Sequence, residues 1–227
     1  MTSLEKNIRF FIGTTIGNST ALYWIKHKGE NQKNKLIYPD SDICIEGFQR
    51  SGNSFFFTLF KRRNKALKIA HHTHAAAQVI KAVEYNVPTI VLIRKPEDAI
   101  ASLVVWDDKL SISIAFSAWI SFYKRLLDLQ DKIQITSFEE VTENPVEVIN
   151  ELNIRFDTDF SLPVYNENQL TQIKSTMKQR NDPLSAPVPT AEKDMAKLKY
   201  YDAIRSHSLL SKADELYNTF LKERYTI

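Results

Sequence analysis

Apolar residues at Leu4, Ile8, Phe11, Ile12 and Ile16, continuing at Leu22 and Tyr23, follow a helical spacing that Gly13 and Gly17 interrupt. The polar stretch KHKGENQKNK at 26–35 then reads as a surface loop. From there short β-rich runs alternate with helical ones. DICIEGF at 42–48 is a strand and NSFFFTLFKRR a helix start; LKIAHH at 67–72 is a second strand and AAAQVIKAVEY at 75–85 a second helix. PTIVLIRKP at 88–96 is nearly all apolar, as strands covered on both faces tend to be. A helix over 96–106, a long amphipathic helix from about Ser111 to Asp131 and a fourth strand over 132–138 follow. After Pro145, VEVINELNI is a further helix. RNDPLSAPVPT at 180–190 reads as a loop or extended arm, with helical patterns through about residue 222.

Strands separated by helices of this length imply βαβ units, parallel pairing and right-handed crossovers. The class is therefore α/β, a three-layer α/β/α arrangement around a central parallel sheet of about four to five strands, with a helical C-terminal third. A chain of 227 residues, 43% apolar and 11% aromatic, can bury a full core, and its length favours one domain over 1–227. Thirty basic against 27 acidic side chains, spread along the chain, give no support for a nucleic-acid partner. The KRRNK cluster at 61–65 falls at an expected helix end, where it complements the helix dipole; its alternative is a wall of an anion site. Cys44 is the only cysteine, so there is no intrachain disulfide and no cysteine set for zinc. FFIGTTIG at 10–17 is too short and too rich in Thr and Gly to span a bilayer, so the expectation is a cytoplasmic protein without a membrane partner.

The chemistry starts at IEGFQRSGNS, residues 45–54. Gly47, Gly52 and Ser54 fit G-x-x-x-x-G-x-[ST] between a strand and a helix, the context a phosphate-binding loop demands. Gly52 lets successive N–H groups curl into one concavity, and the following helix offers its free N–H groups and positive dipole end to an anion. Asn53 stands where such a loop carries its lysine, and the strand TIVLIRKP ends in Arg94 where a nucleoside triphosphatase needs a magnesium ligand. Arg50 supplies a cation within the loop instead. Taken alone, the loop is equally an ordinary strand-to-helix turn.

GFQRSGNS, HTH at 72–74, VLIRKPEDAIAS at 91–102 and SFEEVTENPVEVINEL at 137–152 together resemble the P-loop sulfotransferases that use 3′-phosphoadenosine 5′-phosphosulfate. The resemblance spans about residues 42–152. It implies that Arg50, Ser51, Gly52, Asn53 and Ser54 hold the 5′-phosphosulfate, and that Arg94 and Ser102, eight residues apart, bind the 3′-phosphate. It also implies His74 as general base and Arg50 as the cation that stabilises the leaving phosphate, without a metal. An arginine can grip a phosphate bidentately, and a hydroxyl two turns into the helix can reach the same group. Imidazole is the side chain that takes a proton near pH 7. The acceptor implied is a hydroxyl or amine of a small molecule or carbohydrate.

This chain departs from the family pattern at Asn53, where threonine is usual, at His72 in place of a lysine, and at Phe138 in place of a tyrosine. It has no R-K-G sequence to close the 3′-phosphate site; Arg180 is a candidate substitute. His71 reads as a strand residue pointing away from His72. Three histidines within four positions also invite a metal reading, though with no cysteine or clear carboxylate beside them. Phe48, Trp106, Trp119 and Tyr123 are aromatics for either the acceptor pocket or the core. Two other readings stay open: a P-loop nucleotide or metabolite kinase, and a non-catalytic nucleotide-binding module.

Overall fold

The structure, a computed structural model, describes residues 2–27, 35–178 and 190–223. Four parallel strands form one sheet in the order β2-β1-β3-β4: β1 is Ile43–Gly47, β2 Ile69–His71, β3 Thr89–Ile93 and β4 Gln134–Ser137. Register pairs Ile45 with His71 and with Ile90, Gly47 with Leu92, and Ile93 with Ser137. All five residues of β1 and of β3 are buried, as strands covered by helices on both faces require.

Strand alternation sorts the core. Ile43, Ile45, Ile90 and Leu92 face the layer of α3 (Asn53–Arg63), α7 (Phe138–Glu143) and α8 (Pro145–Phe156). Val91, Ile93 and Ile135 face the opposite layer, built on α4 (Ala76–Glu84), α5 (Pro96–Trp106), α6 (Ile112–Lys124) and the later α11 (Leu210–Glu223). The α/β class and the parallel sheet agree with the reading of the sequence. Cys44 is fully buried in β1. A Cβ at Gly47 would lie 2.4 Å from the Leu92 carbonyl oxygen, so glycine is what allows β1 to end against β3.

Two boundaries and one helix face depart from expectation. The N-terminal stripe is two helices, α1 (Ser3–Asn18) and α2 (Thr20–His27), parted at Ser19, whose backbone is extended. Leu4, Ile8, Phe11 and Ile12, which define that stripe, are exposed; α1 packs instead through Asn7, Phe10 and Gly17, where a Cβ would meet Ala75 at 3.3 Å. The long helix expected from Ser111 to Asp131 stops at Lys124. Leu126, fully buried, donates its N–H to the Tyr123 carbonyl three residues back, and a 3-10 turn over Leu127–Lys132 carries the chain into β4.

The C-terminal third is helical: α9 (Glu167–Lys178), α10 (Ala191–Arg205) and α11. The Pro-rich arm expected at 180–190 lies outside the described residues except for Thr190, as do residues 28–34 of the polar loop. Among the described residues no helix is long and apolar enough to cross a membrane.

Candidate functional site

The C-terminal ends of β1, β2 and β3 open onto a pocket of about 620 Å³. This is the edge where parallel α/β sheets present their loops. The loop after β1 forms its floor. Gly52 has φ +94° and Arg50 φ +68°, so two left-handed residues fold the chain back before α3 begins. The helix ladder of α3 starts with Phe56 N–H to the Gly52 carbonyl, and the N–H groups of Asn53, Ser54 and Phe55 precede it.

Asn53 explains how the loop keeps its shape without a lysine. Its Nδ2 donates to the Phe48 carbonyl at 2.9 Å and to the Gly47 carbonyl at 3.4 Å, stitching the end of β1 to the start of α3. Arg50, Gly52, Asn53 and Ser54 all line the pocket. Ser51 does not: its side chain is fully buried, its Oγ lies 3.4 Å from the Tyr123 hydroxyl, and its N–H turns back to the Phe48 carbonyl.

The second wall is the turn after β2. His72 and His74 line the pocket, and both adopt left-handed backbone, with φ +58° and +51°. His74 Nδ1 lies 2.9 Å from the Gly47 carbonyl. A carbonyl only accepts, so Nδ1 carries the proton and Nε2 holds the lone pair. His72 bridges Ser54 Oγ at 3.0 Å through Nε2 and His71 Nδ1 at 2.6 Å through Nδ1. His71 stacks on Phe57 at 3.8 Å between ring centroids and stays out of the pocket lining, but it does not point away from His72 as expected: β2 ends at His71, and the left-handed backbone of His72 breaks the strand alternation and brings the two rings together.

Burial, with lesser contributions from the Lys35 and Lys61 charges, holds the His71 imidazole down at about 4, against an ordinary value of 6.5. The unfolded chain therefore takes up a proton between pH 6.5 and 4 that the folded chain refuses. Stability is expected to fall as pH drops through that window, by at most about 3 kcal/mol and by less for the solvent-screened part. Calorimetric Tm measured from pH 7 to 4.5 should show this slope. His71→Phe, which keeps the stacking, should flatten it; equal slopes in both proteins would remove His71 as the cause.

The third wall is made by Arg94, Phe138 and α5. The guanidinium of Arg94 lies 4.0 Å over the ring of Phe138, and its Nη1 donates to the Arg50 carbonyl at 3.2 Å. Its Nε is buried with no hydrogen-bond partner among the described residues. Glu97 and Asp98 do not engage Arg94 directly: Glu97 pairs with Arg205 at 2.7 Å, and Asp98 accepts from the Tyr201 hydroxyl at 2.9 Å. Ser102 Oγ accepts from Arg50 Nε at 3.0 Å, which ties the loop to the helix carrying Ser102. Phe138, where a tyrosine was expected, serves Arg94 as a stacking platform, and a Cβ on Gly52 would lie 3.2 Å from it.

The structure adds residues that the sequence reading missed. Lys193 and Lys197 reach the pocket from α10, one turn apart on the helix face that Tyr201 and Arg205 pin to α5. Lys193 is 3% exposed, and Lys197 pairs with Asp194 at 2.8 Å. The spacing of Lys193, Lys197 and Tyr201 was the available signal. Arg180 lies outside the described residues. Phe55, Tyr165 and Leu170 form an apolar side of the pocket, with the Tyr165 hydroxyl donating to the Thr142 carbonyl. Of the four aromatics considered for an acceptor pocket, only Trp106 lines it; Phe48, Trp119 and Tyr123 belong to the core beneath α5 and α6.

No protein-family model matches the sequence, and no curated protein does. Among solved structures, a mouse sulfotransferase, SULT7A1, described as complexed with PAP, aligns over 80% of this chain and 91% of its own. The TM-score is 0.47 and the identity 12%. At that level the functional reading rests on the residues of this chain.

Proposed function

We propose that this protein is a sulfotransferase that moves a sulfuryl group from 3′-phosphoadenosine 5′-phosphosulfate to a hydroxyl or amine of a small-molecule or carbohydrate acceptor. The observation that carries the reading is the convergence, in one pocket, of Arg50, Arg94, Ser102, His74 and the N-terminus of α3. Four separate chain segments thus deliver anion-binding groups and one base to a single cavity.

The residues fit the donor. The loop from Arg50 to Ser54 takes the 5′-phosphosulfate through the leading N–H groups of α3 and the Arg50 cation. Arg94, with its buried Nε unsatisfied, takes the 3′-phosphate together with Ser102. Lys193 and Lys197 close that side from α10, in the role considered for Arg180. Phe55, Tyr165 and Leu170 give a purine ring the flat apolar surface it needs.

In the reaction, His74 Nε2 takes the proton from the acceptor hydroxyl or amine as the acceptor atom bonds to sulfur. The bond between sulfur and the bridging phosphate oxygen breaks, and Arg50 stabilises the charge left on that phosphate.

A P-loop kinase would instead need a carboxylate for magnesium. Among the described residues the pocket lining contains one, Asp194, and Lys197 holds it; no cluster of His, Cys, Asp and Glu there is arranged for a metal ion.

Titration calorimetry of 3′-phosphoadenosine 5′-phosphate into the protein in metal-free buffer should give micromolar affinity. ATP with magnesium should bind more weakly. Tighter binding of ATP with magnesium would replace this reading with a kinase.

A further inference from the structure

Glu46 occupies the middle of the apolar run ICIEGF and is 0% exposed, one residue before the strand delivers the phosphate loop. An acid in such a place must have its oxygens satisfied. Its Oε1 accepts from Thr73 N–H at 2.8 Å, Thr73 Oγ1 at 2.9 Å and Gln78 Nε2 at 2.8 Å. Its Oε2 accepts from His74 N–H at 3.0 Å. Three of those four bonds go to the His72–His74 turn, whose two histidines hold left-handed backbone that non-glycine residues adopt at a cost.

The fourth bond leads outward. Gln78 is also 0% exposed and uses its whole side-chain amide. Oε1 accepts from the Tyr23 hydroxyl at 2.9 Å and from Ile37 N–H at 3.1 Å, while Nε2 donates to the Lys35 carbonyl at 3.0 Å as well as to Glu46. One buried polar network thus joins α2, the Lys35–Ile37 segment, α4 and the turn, with the Glu46 carboxylate at its centre.

We propose that Glu46 is a positioning residue: its carboxylate clamps the backbone of Thr73 and His74 and so fixes where the His74 imidazole stands against the phosphate loop. The inference rests on the sulfotransferase reading for its consequence in catalysis, though the clamp itself stands apart from that reading. Two attachments then define the imidazole: the carboxylate on its backbone N–H and the Gly47 carbonyl on Nδ1. Glu46 and Gly47 are consecutive, so β1 orients both the base and the loop that would hold the donor.

The test is Glu46→Gln. An amide of the same shape has one acceptor oxygen. Set against the three donors at Oε1, it turns its NH2 toward the His74 N–H, where two donors oppose each other. The expected result is a fall in kcat on the order of 10²-fold, the scale of an ångström-level misplacement, with KM for the donor and the Kd of 3′-phosphoadenosine 5′-phosphate within about twofold of the parent protein. Unchanged kcat, or equal losses in kcat and nucleotide binding, would overturn the proposal.

Hydrogen exchange at the Thr73 and His74 amides gives a readout independent of any activity. Exchange there should accelerate in Glu46→Gln while the strand amides of β3 keep their protection; unaltered exchange overturns the clamp even if the protein proves to have another function. Thr73→Val removes one donor from Oε1 without change of shape and covers the case of a Glu46 variant that does not fold. It should lower kcat by about tenfold with nucleotide affinity retained, and a parental kcat counts against the proposal.

Discussion

Replacing Arg94 with alanine is expected to weaken binding of 3′-phosphoadenosine 5′-phosphate by about 10²-fold or more, the consequence of leaving a partly desolvated anion without its 2–5 kcal/mol partner. Arg94 immediately follows β3, and its charge is half buried against Phe138 and the Arg50 carbonyl. Burial lowers its affinity for a proton, while the Asp98 and Glu139 charges work the other way. It remains a cation at any working pH. Its Nε faces no acceptor among the described residues, which is the condition a phosphate relieves. Arg94→Lys is a sharper comparison. Lysine restores the charge but not the planar fork or the stacking on Phe138, so it should recover only a small part of the loss. Calorimetry without metal reads both variants. Full affinity in Arg94→Lys would mean that charge alone matters, and full affinity in Arg94→Ala would remove Arg94 from the site.

The alternation of strands and helices was legible because each β-run is bounded by its own turn residues and each helix carries an apolar period. Positions fixed by tertiary packing were harder to read. Leu4, Ile8, Phe11 and Ile12 have the spacing of a buried face, yet α1 turns them outward because Gly17 and Asn7 allow a closer fit on the other side. The break at Leu126 leaves no local mark, since a buried leucine suits a helix and a 3-10 turn equally.

In the site, Arg50, Asn53, Ser54, His74, Arg94 and Ser102 were named from the family resemblance, and the fold brings all six to one cavity. Ser51 was named with them by resemblance, but its buried side chain turns inward to the Tyr123 hydroxyl, away from the cavity. Lys193 and Lys197 lie some ninety residues beyond Ser102, and only the packing of α10 on α5 makes them neighbours of it. Glu46, an acid in an apolar strand, passed unremarked in the sequence, and its partners Thr73, His74 and Gln78 are joined to it by topology alone.

Removing the imidazole of His74 should produce the largest kinetic effect, and the backbone dictates how to do it. At φ +51°, alanine would add strain to the turn and mix a conformational loss with a chemical one. Asparagine and glycine both accept the left-handed region. His74→Asn and His74→Gly are therefore expected to lower kcat by about 10²- to 10⁴-fold while 3′-phosphoadenosine 5′-phosphate binds as before. The distinction matters because the turn also carries His72, which reaches Ser54 in the phosphate loop; a distorted turn would damage nucleotide binding too. Added imidazole should restore part of the rate in the glycine variant, since it supplies the missing lone pair without reshaping the chain. If kcat persists in both variants, proton removal belongs to another group. His72 is then the next base to test, because its Nε2 already meets a hydroxyl at 3.0 Å.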